Sequence, residues 1–268
     1  MKYKLFISDF DGTLGSAPSH IEEDTVKAIK EYEKRGGRFV ICTGRSYPSI
    51  KMVCDKYGLG GLIVAFQGAY IVESDTNTKI LDAGMTKEQT IAVVKDLLDE
   101  GVETGVYMDN LMHYQWKAEG LSQYEILCGA NGKQVDNLIE FIKNSPLQIR
   151  KVLSVLEPKR KKIIMEKLSK KYEGELIINS SAEYFLEIIN PKYNKGFGVK
   201  KIAEYYNIPL SEVIAVGDSL NDLELVSGEW HGVIVGDGME EVKPFAKEIT
   251  VPFKEQPIKT LLEKYCLD

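Results

Sequence analysis

The chain has 268 residues, of which 34 are basic and 40 acidic, for a net charge of −6. Hydrophobic residues make up 44% and charged residues 28%, a balance that excludes a disordered chain and is ordinary for a globular one. The acidic excess excludes the basic footprint of a nucleic-acid binder and is equally unsuited to an anionic membrane surface.

In chain order, the apolar run Leu5-Phe6-Ile7 predicts a short buried strand leading into Ser8-Asp9-Phe10-Asp11-Gly12-Thr13-Leu14. Side chains two apart on an extended chain point the same way, so Asp9 and Asp11 should face one spot past the strand end, where they repel. A helix follows from about Glu22 to Arg35, with Val26, Ile29 and Tyr32 at three-residue spacing and Gly36-Gly37 as its stop. Strand Arg38 to Cys42 ends in Thr43-Gly44-Arg45. A helix over about Tyr47 to Tyr57, closed by Gly58, leads to a third strand, Leu62 to Phe66. Strands nearly continuous in Val, Ile and Phe, alternating with helices, indicate a parallel sheet covered on both faces. Ligands of such sheets bind beyond the carboxyl ends of the strands, where both the acidic loop and Thr43-Gly44-Arg45 fall.

Around Ala83 the pattern changes. Thr86-Lys87-Glu88-Gln89 predicts a capping box opening a helix that runs to Glu100. Strands Thr104 to Met108 and Met112 to Trp116 follow, turning at Asp109-Asn110; then a strand Lys151 to Leu156, a basic helix from about Lys159 to Tyr172, and two strand-like runs ending near Ile189. This order predicts an α+β module with an antiparallel sheet. The parallel pattern returns from Asn194, with a helix near Gly196 and strands Val213 to Val216 and Gly232 to Val235. The expected organisation is a Rossmann-like α/β core, residues 1–82 and 190–268, interrupted by an inserted α+β module, residues 83–189.

Cys42, Cys54, Cys128 and Cys266 form no C-x-x-C pair, so reduced thiols are expected rather than a disulfide framework or a zinc site. No apolar leader precedes Ser8 and no run has the length of a membrane span, and a cytoplasmic protein is the expectation.

Chemistry concentrates at four places. Asp9 and Asp11 can hold a divalent cation, act as nucleophile and acid/base, or do both. Thr43 and Gly44 offer a hydroxyl and a loop amide for an anion, although such a pair is by itself more often a turn. Lys195 stands at a helix start, where its ammonium could neutralise a phosphate, against the default of a surface lysine. The fourth is Gly217-Asp218-Ser219-Leu220-Asn221-Asp222, again directly after a strand. Asp9, Asp11, Asp218 and Asp222 are tolerable together only if charge is neutralised, and one Mg²⁺ with Lys195 leaves the pocket nearly neutral.

The set D-F-D-G-T-L, T-G-R, N-K-G and G-D-S-L-N-D, in that order, resembles the haloacid dehalogenase superfamily, and within it the Cof-type phosphatases, over nearly the whole chain. The resemblance implies that the module at residues 83–189 is a cap domain. It also implies Asp9 as the nucleophile that becomes an aspartyl-phosphate and Asp11 as the acid that then serves as base. Thr43, Gly44 and Lys195 would hold the phosphoryl group. Mg²⁺ would be bound by Asp9, the backbone carbonyl of Asp11 and Asp218, with Asn221 and Asp222 behind them. Gln67, Leu225 and Gly236-Asp237-Gly238 depart from the usual pattern, which leaves substrate choice open at Gln67 and Asp237.

The expected function is therefore Mg²⁺-dependent hydrolysis of a small phosphorylated metabolite, a sugar phosphate or related compound, under a cap that excludes phosphoproteins. The alternatives are a phosphomutase using the same aspartyl-phosphate, or a non-catalytic regulatory protein on this scaffold. The run Lys159-Arg160-Lys161-Lys162 is expected to be a solvated helix face. His113 is expected at the surface, with reach of His113 and Tyr114 to the substrate as the lesser reading, and Trp116 is expected to pack rather than stack.

Overall fold

In the computed structural model, which describes residues 1–117, 119–129 and 131–267, strands and helices alternate from the start of the chain. The first part comprises β1 (Leu5–Ser8), α1 (Glu23–Lys34), β2 (Arg38–Cys42), α2 (Tyr47–Tyr57), β3 (Leu62–Ala65), β4 (Tyr70–Glu73) and β5 (Thr78–Asp82). The middle holds α3 (Lys87–Asp99), β6 (Thr104–Met108), β7 (Leu111–Tyr114), α4 (Glu119–Cys128), β8 (Gly132–Gln134), α5 (Leu138–Asn144), β9 (Ile149–Val155), α6 (Pro158–Lys171), β10 (Ile177–Ala182) and β11 (Phe185–Ile189). The last part has α7 (Lys195–Tyr206), β12 (Val213–Gly217), α8 (Leu223–Val226), β13 (His231–Ile234), β14 (Glu248–Ile249) and α9 (Pro257–Leu262).

Among the described residues these strands form two sheets, one of eight strands in the order β14-β13-β12-β1-β2-β3-β4-β5 and one of six in the order β10-β11-β9-β6-β7-β8. The chain leaves the first sheet after β5 and returns to it at β12. In the first sheet β1 lies between β2 and β12, parallel to both, and every residue from Leu5 to Ser8 is fully buried. Strand alternation sends Leu5 and Ile7 to a cluster with Val199 and Ile202 of α7, and Phe6 to the opposite cluster with Ile29 and Tyr32 of α1. The carboxyl end of β1 is thereby held at the middle of the sheet, and Asp9 continues the ladder by donating its N–H to the Val216 carbonyl at 2.9 Å.

The expected all-parallel sheet holds from β14 to β3 only. Phe66, Gln67 and Gly68 all have positive φ, which reverses the chain, and β4 and β5 add antiparallel strands at the edge. The run Tyr70-Ile71-Val72 and the turn-forming Asp75-Thr76-Asn77 are the sequence signals for them.

The second sheet is antiparallel except for the parallel pair β7 and β8. Helix α3 opens with the expected capping box, Thr86 accepting from the Gln89 N–H and Gln89 from the Thr86 N–H, both at 3.1 Å. One face of this sheet is covered by α3, α5 and α6; the other contributes Tyr107, Met112 and Leu153 to the cluster that contains Phe6 and Phe66. Arg150, fully buried, ties the two sheets together through Asp82 at 2.9 Å and Asp109 at 3.0 Å, over the Tyr70 ring at 4.1 Å.

Three expectations on the second sheet are corrected. His113 is neither at the surface nor near the first sheet's strand ends: it is buried on the helix-covered side, stacked 4.6 Å from Phe141. Of the basic run, Lys161 is buried and donates to Ser180 Oγ at 2.6 Å, while Arg160 is exposed but donates to the Glu100 carbonyl at 2.5 Å, so only Lys159 and Lys162 present a simple solvated face. Trp116 is 37% exposed, because β7 ends at Tyr114 rather than continuing into the sheet. No helix among the described residues is long and apolar enough to cross a membrane.

Candidate active site

Asp9 and Asp11 follow β1 directly, and the tight loop after them depends on Gly12. Its φ of +79° suits glycine, and a Cβ there would lie 2.8 Å from Asp218 Oδ2. The loop thus presses against the Gly217-Asp218-Ser219 segment that follows β12, the strand hydrogen-bonded beside β1. Thr13 completes the contact by donating to Asp218 Oδ1 at 3.0 Å.

Lys195 is the hub. As the first residue of α7, whose N-cap Asn194 accepts from the Phe197 N–H at 2.8 Å, it is fully buried and bridges Asp9 Oδ1 at 2.7 Å and Asp222 Oδ1 at 2.6 Å. Burial alone would lower its pKa, but the two carboxylates outweigh that and hold the ammonium well above its ordinary value. Asp222 is saturated: its second oxygen accepts the N–H groups of Asp218 and Ser219, both at 3.2 Å. Asp9 and Asp218 differ, since Oδ2 of each has no hydrogen-bond donor among the described residues.

Oxygens of Asp9, Asp218 and Asp222 lie within 4.8 Å of one another. Such a cluster is unstable on its own. Burial, opposed only in part by Lys195, raises Asp9 well above the ordinary carboxylate range; burial, followed by the charge of Asp222, pushes Asp218 up to about 7. Three carboxylates share one ammonium, two of them with an oxygen lacking a donor, and this donor set fits a hard divalent cation. Asp222 has both oxygens engaged, one by Lys195 and the other by the Asp218 loop.

Both shifts being upward, the metal-free fold retains protons that an unfolded chain has released; through Asp218 its stability falls as pH rises from about 4 to about 7, and Asp9 acts in the same direction. A divalent cation must displace those protons. Mg²⁺ is therefore expected to raise the melting temperature more at about pH 8 than at about pH 5.5, measured by differential scanning fluorimetry. Equal shifts at the two pH values would contradict this site.

Asp11 does not join the cluster through its side chain. It forms a bidentate ion pair with Arg45, Nε to Oδ2 and Nη2 to Oδ1, both at 2.7 Å. Arg45 is itself buried, stacked 4.5 Å over Phe10 and donating to the Pro18 carbonyl at 2.7 Å. Motif reasoning gives Arg45 no part beyond closing T-G-R; a guanidinium in a protein with a paired carboxylate motif is the signal that could have found it. With Arg45 counted, four carboxylates face two cations, and one divalent ion closes the balance.

Asp9, Asp11, Thr43, Gly44 and Asn221 line one cavity of about 850 Å³ between the first sheet's strand ends and the second sheet. Thr43 is buried, with its Oγ1 accepting the Arg45 N–H at 3.2 Å, and a Cβ at Gly44 would lie 2.4 Å from Gln67 Nε2. Asn221 Oδ1 accepts from Ser219 Oγ at 2.6 Å. The segment between β5 and α7 supplies most of the remaining wall, including Tyr124 of α4, Lys151 of β9 and Glu187 of β11. Of the residues that depart from the expected pattern, Gln67 lies behind this wall, donating to Glu187 at 3.0 Å. Asp237 instead holds the Phe253 N–H at 2.8 Å, and Leu225 is core.

A mixed sheet with carboxylates, one lysine and a hydroxyl loop at its strand ends, roofed by a second α+β sheet, is the architecture of a phosphoryl-handling hydrolase class. Residues 6–262 match the family of haloacid dehalogenase-like hydrolases, and the chain belongs to that family. Among curated relatives, the 5-amino-6-(5-phospho-D-ribitylamino)uracil phosphatase YitU of Bacillus subtilis is 28% identical, with 97% of each chain covered. The HMP-PP phosphatase of Serratia proteamaculans is 21% identical over 93% of this chain and 89% of its own. Among solved structures, a haloacid dehalogenase-like hydrolase from Bacteroides thetaiotaomicron superposes with a TM-score of 0.85 at 22% identity, covering 98% of this chain and 99% of that one. The sugar phosphatase BT4131, of subclass IIB, superposes with a TM-score of 0.80 at 19% identity over 98% of both chains.

Proposed function

We propose that the chain is a Mg²⁺-dependent phosphomonoester hydrolase acting on a small phosphorylated metabolite, a sugar phosphate or a related polyol ester, through an aspartyl-phosphate on Asp9. The observation that carries this is the state of Asp9: buried, lining the cavity, one oxygen fixed by Lys195 and the other without a donor. That is the arrangement of an oriented nucleophile. The relatives named above act on small phosphorylated compounds, which supports the substrate class.

The Asp9 oxygen attacks phosphorus while the ester P–O bond breaks, and Asp11 protonates the departing alkoxide. Asp11 then takes a proton from the water that attacks the aspartyl-phosphate, releasing phosphate and regenerating Asp9. Both oxygens of Asp11 are held by Arg45, so the guanidinium must yield one of them at the protonation step. Thr43 Oγ1 and the Gly44 amide bind phosphoryl oxygens, with Lys195 holding the nucleophile and neutralising charge. Asp9, Asp218 and the Asp11 carbonyl would hold Mg²⁺, which supplies electrostatic stabilisation of the phosphoryl group in flight. Residues 83–189 act as a cap that excludes bulky substrates; efficient turnover of a phosphoprotein would contradict this.

Phosphate release from p-nitrophenyl phosphate and a panel of metabolite monoesters should require Mg²⁺, stop with EDTA and resume on adding excess metal. Isomerisation of a sugar bisphosphate without phosphate release would indicate a mutase. No turnover of any ester would favour the non-catalytic alternative.

A further inference from the structure

Lys151 and Glu187 form a charged pair whose place the phosphatase reading leaves unused. On β9, alternate residues Lys151, Leu153 and Val155 point toward the first sheet, and Glu187 on β11 lies diagonally across, since Glu187 pairs with Leu153 in the register. Lys151 Nζ donates to Glu187 Oε1 at 2.6 Å and to the Gly44 carbonyl, in the phosphate loop, at 2.8 Å. The other Glu187 oxygen accepts from Gln67 Nε2 at 3.0 Å. Side-chain exposure is 1% for Lys151 and 4% for Glu187, yet both line the cavity.

Stability is a poor reason for this arrangement, because a buried ion pair is often no better than apolar side chains of the same volume. The network is also incomplete. Gln67 Oε1 is buried with no partner, and an ammonium that can serve three acceptors is given two. What the pair offers the cavity is a donor beside an acceptor with no net charge, one residue from the phosphate cradle. A hydroxyl matches that: it can accept from the ammonium and donate to the carboxylate. A charged group would meet attraction and repulsion together.

We propose that Lys151 and Glu187 are the specificity residues of this cavity, reading a hydroxyl on the leaving group close to its phosphate ester. The inference rests on the phosphatase reading above and adds to it the side chains that select a polyol over an alkyl ester. Truncating one partner should cost the hydroxylated substrate about tenfold to a hundredfold in kcat/KM, the range for a hydrogen bond to a charged group.

The test compares sorbitol 6-phosphate, glucose 6-phosphate and ribose 5-phosphate with n-hexyl phosphate, which carries no hydroxyl. Wild-type protein should prefer at least one hydroxylated ester, and the ratio of its kcat/KM to that for hexyl phosphate should fall about tenfold or more in Lys151→Met. Should that variant fail to fold, Glu187→Gln, which keeps the volume and one acceptor, should lower the same ratio. A pair that only fastened the two sheets together would slow every ester alike. An unchanged ratio in a folded variant, or no preference in the wild type, overturns the proposal, whereas absence of phosphate release from every ester overturns the phosphatase reading instead.

Discussion

Asp9→Asn is expected to lower kcat on p-nitrophenyl phosphate by about 10⁴-fold or more, the scale on which loss of a covalent nucleophile is felt. The amide keeps the shape of the side chain and an acceptor for Lys195 Nζ, now 2.7 Å from Asp9 Oδ1, so the fold should survive. It removes the charge that makes the second oxygen nucleophilic. Steady-state phosphate release, with the thermal transition followed in parallel, separates the two effects. A folded Asn variant within tenfold of the wild type would remove Asp9 from the role of nucleophile.

The second large effect belongs to Lys195→Met. Its ammonium is the described cation in contact with both Asp9 and Asp222, and neither carboxylate is more than 6% exposed. Removing one member of a buried ionic set leaves the others uncompensated, at a cost on the order of 3–5 kcal/mol. Urea unfolding should register that loss, and excess Mg²⁺ should recover part of it by taking over the neutralisation. Activity should fall at least about a hundredfold, because the nucleophile loses its anchor and the phosphoryl group a counter-charge. Unchanged stability in the metal-free variant would mean that Asp9 and Asp222 do not depend on this lysine, and the charge argument for the site would fail with it.

Of the two residues, Asp9 stands out in the amino-acid sequence, and the reason is local, whereas Lys195 is singled out only by its place at a helix start. A strand end is marked by an apolar run giving way to polar residues, and strands of one parallel sheet bring their ends to one edge whatever surrounds them. Asp9, Thr43 and Asp218 can therefore be grouped from three separate stretches. The expectation for Asp222 is a place behind the metal; the structure sets it among the three clustered carboxylates, with both its oxygens engaged by Lys195 and by the N–H groups of Asp218 and Ser219. Asp11 is expected to share one spot with Asp9; the two line one cavity but turn to different cations.

Pairing is what the residue pattern does not disclose. Arg45 looks like a loop residue, and nothing local says that a guanidinium will fold back over Phe10 to grip Asp11. Helices α4 and α5 and the edge strands β4 and β5 escape the pattern for a related reason. Their short, partly polar segments carry weak periodicity and are held by contact with neighbours, as when His113 stacks on Phe141 of α5.

The sequence by itself determined the alternation of strands and helices, the change of pattern after about Ala83 and the acidic strand ends, because these follow from residue period, caps and the chemistry of contiguous motifs. Only the tertiary structure decided that Arg45 pairs with Asp11, and that Lys151 and Glu187 of a remote sheet stand over the Thr43-Gly44 loop. Both are contacts between residues far apart in the chain, settled by which face of a strand the packing turns inward, and no short stretch of sequence encodes that choice.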